Sequence, residues 1–149
     1  MKKTLMAAMA CIGLAGSAVP ASAGLLSRTG AVIAIMGSEL FTGTAEGHLN
    51  GGGTLAIQSQ KDAGLTCKGN FTSSAEAGGK GTLKCSDGSS STFQFTRLNL
   101  FQGHGGGRYN KGAMSFAYGL TAEEAKPYLK LPKGKKLASK GEHLELVSL

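Results

Sequence analysis

Apolar and polar residues alternate along three successive segments of the chain, and each segment has a glycine-rich turn near its middle. Alternation with a period of two is typical of strands that bury one face, because successive side chains point to opposite sides. Three hairpins in series indicate a meander. We therefore predict a mainly β fold, an antiparallel meander of about six to eight strands, as a coiled sheet or small barrel. The three predicted hairpins span residues 41–57, 67–85 and 101–118.

The second hairpin has a register that its own residues can test. If Cys67 lies opposite Cys85, then Leu65, Phe71 and Leu83 share one face with both cysteines. A shift of one residue would move this set to the opposite face of the strand. The common face therefore supports both the register and a pairing of the two cysteines.

The turns on either side of the fifth strand follow from the same pattern. Ser73 would face Gly79 across a five-residue loop. The aspartate–glycine pair that follows suits a two-residue turn, but that turn would put the next phenylalanines on the wrong face. A three-residue loop from Asp87 to Ser89 pairs Leu83 with Phe93 and keeps one core, and we predict this longer loop.

Glycine is the most frequent residue type, with 24 in 149 residues. Stripes without side chains, such as Gly43 to Gly47 and Gly103 to Gly107, let a sheet coil sharply or let a ring lie on the backbone. We expect aromatic rings to fill the interior, although a ligand-lined face is the alternative. The expected core rings are those of Phe71, Phe93, Phe95, Phe101, Phe116 and Tyr118.

The C-terminal part departs from the strand pattern. Thr121 and Glu124 have the spacing of a capping box, which predicts one short helix over 121–129. Pro127 inside this range predicts a helix that is bent or shorter than two turns. We expect a basic loop over 130–136 and a last strand over 144–147.

The N-terminal residues indicate export. Lys2 and Lys3 precede an apolar stretch over 5–19, and Ala21-Ser22-Ala23 has the A-x-A form of a cleavage site, which together are typical of a secretory signal peptide. We predict a signal peptide over 1–23, cleavage near Ala23, and one glycine-rich β domain over 24–149. The mature protein would be periplasmic or secreted and would not span the membrane.

Two cysteines, Cys67 and Cys85, remain after cleavage because Cys11 leaves with the signal peptide. An even pair in an exported chain most simply forms a disulfide. A pair of reactive or metal-binding thiols is the alternative, but the spacing matches no C-x-x-C motif.

The chain carries a formal net charge of +7, and lysines crowd the segment 126–140. A basic patch attracts anionic partners, which outside the cytoplasm would be lipid or glycan surfaces rather than nucleic acid. A solvated, solubilising segment is the alternative. Another envelope protein is also a candidate partner. The lysines of this basic segment are Lys126, Lys130, Lys133, Lys135, Lys136 and Lys140.

Candidate chemistry is sparse. His48 and His104, with Glu46, are weak candidates for a metal site, since their spacing matches no common ligand pattern. No catalytic residue can be assigned and no cofactor is implied. We predict an exported, non-enzymatic binding or interaction protein of the bacterial envelope. The alternatives are a small metal-dependent or hydrolytic enzyme and a purely structural envelope protein.

Three stretches carry a resemblance that covers about residues 39–137. These stretches resemble a group of small, exported, glycine-rich bacterial β proteins. They are Cys67-Lys-Gly-Asn-Phe71, the run from Gly79 to Gly88 that includes Cys85-Ser-Asp-Gly, and Ser115-Phe-Ala-Tyr-Gly119. Their shared pattern is C-x-G-x-F … C-S-D-G … F-x-Y/F-G, and residues 125–132 are similar to a C-terminal continuation seen in some members. The resemblance implies export and a β fold. It implies no activity, since none is established for the group.

Overall fold

The computed structural model describes residues 27–74 and 77–149, so the predicted signal peptide lies outside the described residues. Eight antiparallel strands follow one another in chain order, and β1 pairs with both β2 and β8, which closes a barrel. The predicted antiparallel meander is thereby confirmed, as a closed eight-stranded barrel. Its strands are β1 (Ser27–Met36), β2 (Glu39–His48), β3 (Gly52–Ser59), β4 (Thr66–Ser74), β5 (Gly78–Cys85), β6 (Ser90–Arg97), β7 (Gly103–Tyr109) and β8 (Gly112–Tyr118).

The register of the β4–β5 hairpin is the predicted one. Cys67 lies opposite Cys85, and the two form a disulfide. Phe71 lies opposite Gly81, as expected. The hairpin continues one pair further than predicted, because Ser74 also pairs with Gly78. The connecting loop is therefore shorter than five residues.

The loop between β5 and β6 has the predicted length but a different position. Leu83 pairs with Ser91 rather than with Phe93, which pairs with Gly81. The three-residue loop is therefore 86–88 instead of 87–89. Asp87 stabilises it, since its Oδ1 accepts hydrogen bonds from both the backbone and the hydroxyl of Ser89. The shift is two residues along the strand, so the phenylalanines keep the core face.

Glycines and aromatic rings alternate across the inner wall. Phe93 lies between Gly81 and Gly107, and Phe95 lies between Gly79 and Gly105. Each ring lies over the backbone of a strand that has no side chain at that point, as the glycine stripes predicted. Apolar residues fill the interior most fully toward one end of the barrel, where Met36, Phe41, Ile57, Cys67, Leu83 and Met114 are buried.

The chain after β8 packs on the outside of the barrel. The helix α1 (Ala122–Ala125) continues into one 3₁₀ turn, Lys126–Tyr128, and the strands β9 (Lys135–Lys140) and β10 (His143–Ser148) form a hairpin. Thr121 caps α1 with the predicted capping box. A second apolar cluster joins these elements to the outer faces of β1, β2 and β8; among its members are Ile33, Ile35, Leu40, Ala117, Ala125, Leu129 and Leu137.

The predicted short helix, of less than two turns, is confirmed, and the predicted basic loop needs correction. The α-helical part ends at Ala125, because Pro127 has no backbone N–H and favours the tighter 3₁₀ turn. The predicted basic loop over 130–136 ends sooner than expected, since β9 begins at Lys135. Leu137 is buried in the second apolar cluster and anchors this strand.

Candidate functional site

A cavity of about 390 Å³ opens at one end of the barrel. This open end carries the start of β1, the β2–β3 turn and the β6–β7 loop, whereas the disulfide lies toward the other, closed end. The volume falls within the range of small-molecule sites. The cavity is lined by Ser27, Arg28, Thr29, Gly30, Val32, Ala45, Gly47, His48, Leu49, Gly51, Leu55, Phe71, Phe93, Phe95, Arg97, Leu100, Phe101, Phe116 and Tyr118.

The interior is hollow here because the walls carry side chains of unequal size. Aromatic rings crowd one wall: the ring centroids of Phe71 and Phe95 are 5.6 Å apart, and those of Phe95 and Tyr118 are 5.8 Å apart, both in edge-to-face geometry. On β2 the inward positions are Ala45 and Gly47, whose small side chains leave the space open. The result is an apolar, largely aromatic chamber.

Arg97 is the main polar side chain of this chamber. One guanidinium nitrogen donates to the carbonyl of Leu100 at 3.2 Å, and the other terminal nitrogen donates to the hydroxyl of Ser73 at 2.6 Å. Its Nε is buried and has no hydrogen-bond partner among the described residues. Arg97 thus fixes the β6–β7 loop and keeps one donor uncommitted.

Tyr118 supplies the second uncommitted polar group. Its hydroxyl is buried, and within the described part of the chain it has no hydrogen-bond partner. Burial raises the pKa of Tyr118 above its ordinary value, and the positive charge of Arg97 opposes that rise. Gly103 pairs with Arg97 on one side and with Tyr118 on the other. The side chains of Arg97 and Tyr118 therefore lie on either side of a residue that has no side chain. The neutral hydroxyl of Tyr118 and the guanidinium of Arg97 therefore line the same part of the cavity.

The β6–β7 loop, residues 98–102, folds across the edge of the open end. The side-chain amide of Gln102 donates to the carbonyl of Gly119 at 3.0 Å, and the Asn99 side chain bonds Gln102 at 2.6 Å. The guanidinium of Arg28 lies 5.0 Å from the ring centroid of Phe101. These contacts hold the loop at the entrance.

The charge of the cavity is unbalanced. No residue that lines it in the described structure is acidic, and neither Arg28 nor Arg97 forms an ion pair with a described residue. A half-buried charge is ordinarily paired, because the loss of hydration must be offset. The arrangement can therefore accept an anionic group beside an apolar body.

The structure does not bring the predicted metal candidates together. His104 lies on the outer face of β7 and stacks on Tyr128, with ring centroids 4.0 Å apart. His48 ends β2, and β8 and β1 separate β7 from that strand. Glu46 lies near His48 on β2. Across residues 27–74 and 77–149, no group of three potential ligands among His, Cys, Asp and Glu is close enough to hold a metal ion.

The lysines of the basic segment lie away from the cavity. Lys126 pairs with Glu123 at 2.6 Å, and Lys135 donates to Ser148 at 3.1 Å. Lys135 and Lys136 are successive residues of β9, so they point to opposite faces. The six lysines are thus spread over a turn, a loop and a strand, and their role toward an anionic surface stays a prediction. They are Lys126, Lys130, Lys133, Lys135, Lys136 and Lys140.

Two residues of the cavity, Arg97 and Phe101, differ from the expectation drawn from the sequence pattern. Phe101 was expected in the core, but it precedes β7 and is 48% exposed at the entrance. Arg97 follows Phe93 and Phe95 at a spacing of two, which puts a cation on the core face. That break in the apolar pattern was the available signal.

None of the helices in the described ranges has the length and apolar character needed to cross a membrane. Comparison of the chain with protein-family models, with curated proteins and with solved structures finds no match.

Proposed function

We propose that this protein is an exported, non-enzymatic binding protein of the bacterial envelope that holds a small anionic amphiphile in the open end of the barrel. The observation that carries the proposal is the guanidinium of Arg97, which lies in an aromatic chamber and has no ion pair with a described residue. Its buried Nε and the buried Tyr118 hydroxyl both lack a partner in the described structure. Buried polar groups ordinarily have partners, so a ligand with acceptor oxygens would complete both.

The chamber also suggests a size for the ligand. One molecule of liquid water occupies about 30 Å³. If each non-hydrogen atom of a ligand takes about that volume, a cavity of 390 Å³ holds on the order of a dozen such atoms. Decanoate, a ten-carbon carboxylate, has that size. Its chain would contact the phenylalanine rings, while its carboxylate would accept from Arg97 and Tyr118.

The experiment is a calorimetric titration of the delipidated mature protein, residues 24–149, with decanoate, decanol and decyltrimethylammonium. Decanoate should bind with a dissociation constant of roughly micromolar order. Decanol should bind at least tenfold more weakly, and the cation should not bind. Failure of decanoate to bind, or equal affinity for decanoate and decanol, contradicts the proposal.

Two arginine variants give the matched comparison. Arg97→Gln should weaken decanoate binding by about 10- to 150-fold, because a hydrogen bond to a charged group contributes about 1.5–3 kcal/mol. Arg108→Gln removes a cation from the outer face of the adjacent strand β7 and should leave binding unchanged. Arg97→Lys, which keeps the charge, should recover part of the affinity. Thermal unfolding of each variant checks that the barrel is intact.

A further inference from the structure

Exposed apolar side chains cluster around the entrance to the cavity. Among the described residues, five large apolar side chains are strongly exposed, and four of them lie at the open end. Leu49 is 76% exposed in the β2–β3 turn, and Leu100 is 62% exposed in the β6–β7 loop. Leu98 and Phe101 lie in the same loop, and the fifth residue is the C-terminal Leu149. A concentration of this kind marks an interaction surface more often than chance exposure does.

The two loops stand on opposite sides of the entrance. They follow β2 and β6, which are four strands apart in a closed ring of eight. Each loop is held in shape by an asparagine: Asn50 Oδ1 accepts from the backbone of Gly52, and Asn99 Oδ1 accepts from the backbone of Phe101, both at 2.9 Å. Leucine tips are thus presented outward by loops with defined conformations, on both sides of an open chamber.

A cation lies at this rim beside the β6–β7 loop. Arg28 is exposed, lies over the Phe101 ring, and has no ion pair in the described ranges. A guanidinium beside exposed apolar groups suits a phosphate headgroup above acyl chains, where apolar and cationic side chains act together.

The division of the exposed apolar area between two loops argues against a second protein as the partner of the rim. At about 150–200 Å² for a fully exposed large apolar side chain, the exposed fractions of the four residues amount to on the order of 400 Å². A stable protein interface is a continuous surface of about 800 Å² on each partner, a little over half of it apolar, whereas this apolar area is divided between two loops with an opening between them. Separate tips on either side of a hole can instead insert among lipids without a complementary surface.

We propose that the open end of the barrel docks on an anionic lipid bilayer, with Leu49, Leu100 and Phe101 inserted below the headgroups and Arg28 on a lipid phosphate. This inference rests on the proposed function, because an amphiphile that enters the chamber would then pass directly from the bilayer without crossing water. The entrance is both the binding site and the docking surface.

Co-sedimentation with vesicles tests the docking. Ligand-free mature protein should bind vesicles of equal parts phosphatidylglycerol and phosphatidylcholine at least tenfold more tightly than vesicles of phosphatidylcholine alone. The double variant Leu49→Ser/Leu100→Ser should lose at least tenfold in binding to the anionic vesicles, and Arg28→Gln should lose severalfold. Leu149→Ser, which removes an equally exposed leucine elsewhere, should bind like the wild type.

A fluorescent probe locates the contact. The chain has no tryptophan, so Phe101→Trp introduces a single reporter at the rim. Its emission should shift to the blue on anionic vesicles, whereas that of Leu149→Trp should not. An unshifted Phe101→Trp emission on bound vesicles would show that the protein binds through another surface and would overturn the docking model.

The remaining outcomes separate this inference from the proposed function. Decanoate binding without vesicle binding overturns the docking and leaves the proposed function standing. Vesicle binding without decanoate binding overturns the proposed function and leaves the docking standing. Substitution of Lys133 and Lys136 could abolish vesicle binding while the Leu49→Ser/Leu100→Ser variant still binds. That result would assign the contact to the basic segment. Concentration-dependent dimers in analytical ultracentrifugation that this double variant dissociates would assign the rim to a second copy. Either result overturns the docking.

Discussion

The ring of Phe116 lies over Gly105 in the neighbouring strand, where a β-carbon would stand 2.8 Å from Cζ of the ring. The two residues are cross-strand partners in the β7–β8 ladder. Gly105 also pairs with Phe95 on its other side. The ring of Phe95 lies in the same way against Gly79, where a β-carbon would stand 2.9 Å from its Cζ. The same arrangement of a ring over a glycine recurs along the inner wall. It determines where aromatic rings occupy the interior of the barrel.

Gly105→Ala should destabilise the barrel. A β-carbon there meets both the Phe116 ring and the neighbouring backbone, and overpacking of this kind costs about 1–3 kcal/mol. We expect a decrease in melting temperature of roughly 5–10 °C, measured by calorimetry. Gly47→Ala is the control, because its β-carbon would lie 3.9 Å from Phe71 Cζ, an ordinary contact. Equal melting temperatures for the two variants would contradict this account.

The disulfide should stabilise the fold without affecting ligand binding. Cys67 and Cys85 are 18 residues apart, and a crosslink that closes a loop of this length contributes about 3 kcal/mol. The double variant Cys67→Ala/Cys85→Ala should lose about that much free energy of unfolding in a urea titration. Neither cysteine lines the cavity, so decanoate affinity should stay within twofold of wild type. An unchanged urea midpoint would show that the crosslink adds no stability.

The register of the β4–β5 hairpin could be predicted because it depends on neighbours in sequence. Alternation places Cys67, Phe71 and Leu83 on one face, and a shift of one residue would move them to the opposite face. The pairing of the two cysteines then selects one register among those that keep this face. Closure of the barrel could not be predicted, because it depends on the pairing of β1 with β8, which are remote in sequence. A meander pattern is the same whether its first and last strands meet or stay apart.

Stability should fall in acid partly because of Asp87. Hydrogen bonds from Lys111 and then from Ser89 hold the pKa of Asp87 well below its ordinary value of 3.8. The unfolded chain therefore takes up the proton at a higher pH than the folded chain. The stabilising contribution is present above the ordinary pKa and is lost as the pH falls below it.

Two variants test this linkage. Asp87→Asn should reduce the difference in free energy of unfolding between pH 7 and pH 3, because the titrating group is gone. Lys111→Met should reduce it too, since it removes the largest cause of the pKa shift. Urea titrations at both pH values measure the difference. If both variants keep the wild-type difference, Asp87 does not contribute to the acid dependence.

The cavity could be foreseen only in part from the sequence. The glycine and aromatic positions predict which residues face inward, but not whether their side chains meet. The chamber is open because Ala45 and Gly47 face a wall of rings across the barrel, and that opposition exists only after closure. Arg97 could have been identified, since it occupies a core-face position after Phe95.

The last prediction concerns the hydroxyl of Tyr118. Tyr118→Phe should keep the fold, because the ring still packs edge-to-face with Phe95 at 5.8 Å. It should weaken decanoate binding by about 3- to 10-fold, since one hydrogen bond contributes about 0.5–1.5 kcal/mol. Tyr109→Phe, a change of the same kind away from the cavity, should bind like the wild type.

The pH profile of decanoate binding separates a hydrogen-bond donor from a titrating group. Because burial raises the pKa of Tyr118, its hydroxyl stays protonated and donates throughout the neutral and mildly basic range. The affinity of the wild type should therefore be constant from about pH 6 to pH 9 and should fall below about pH 5, where carboxylates take up protons. Tyr118→Phe should show the same profile at lower affinity. A wild-type affinity that declines between pH 7 and pH 9, with no such decline in Tyr118→Phe, would show that the tyrosine ionises and that it is not the neutral donor described.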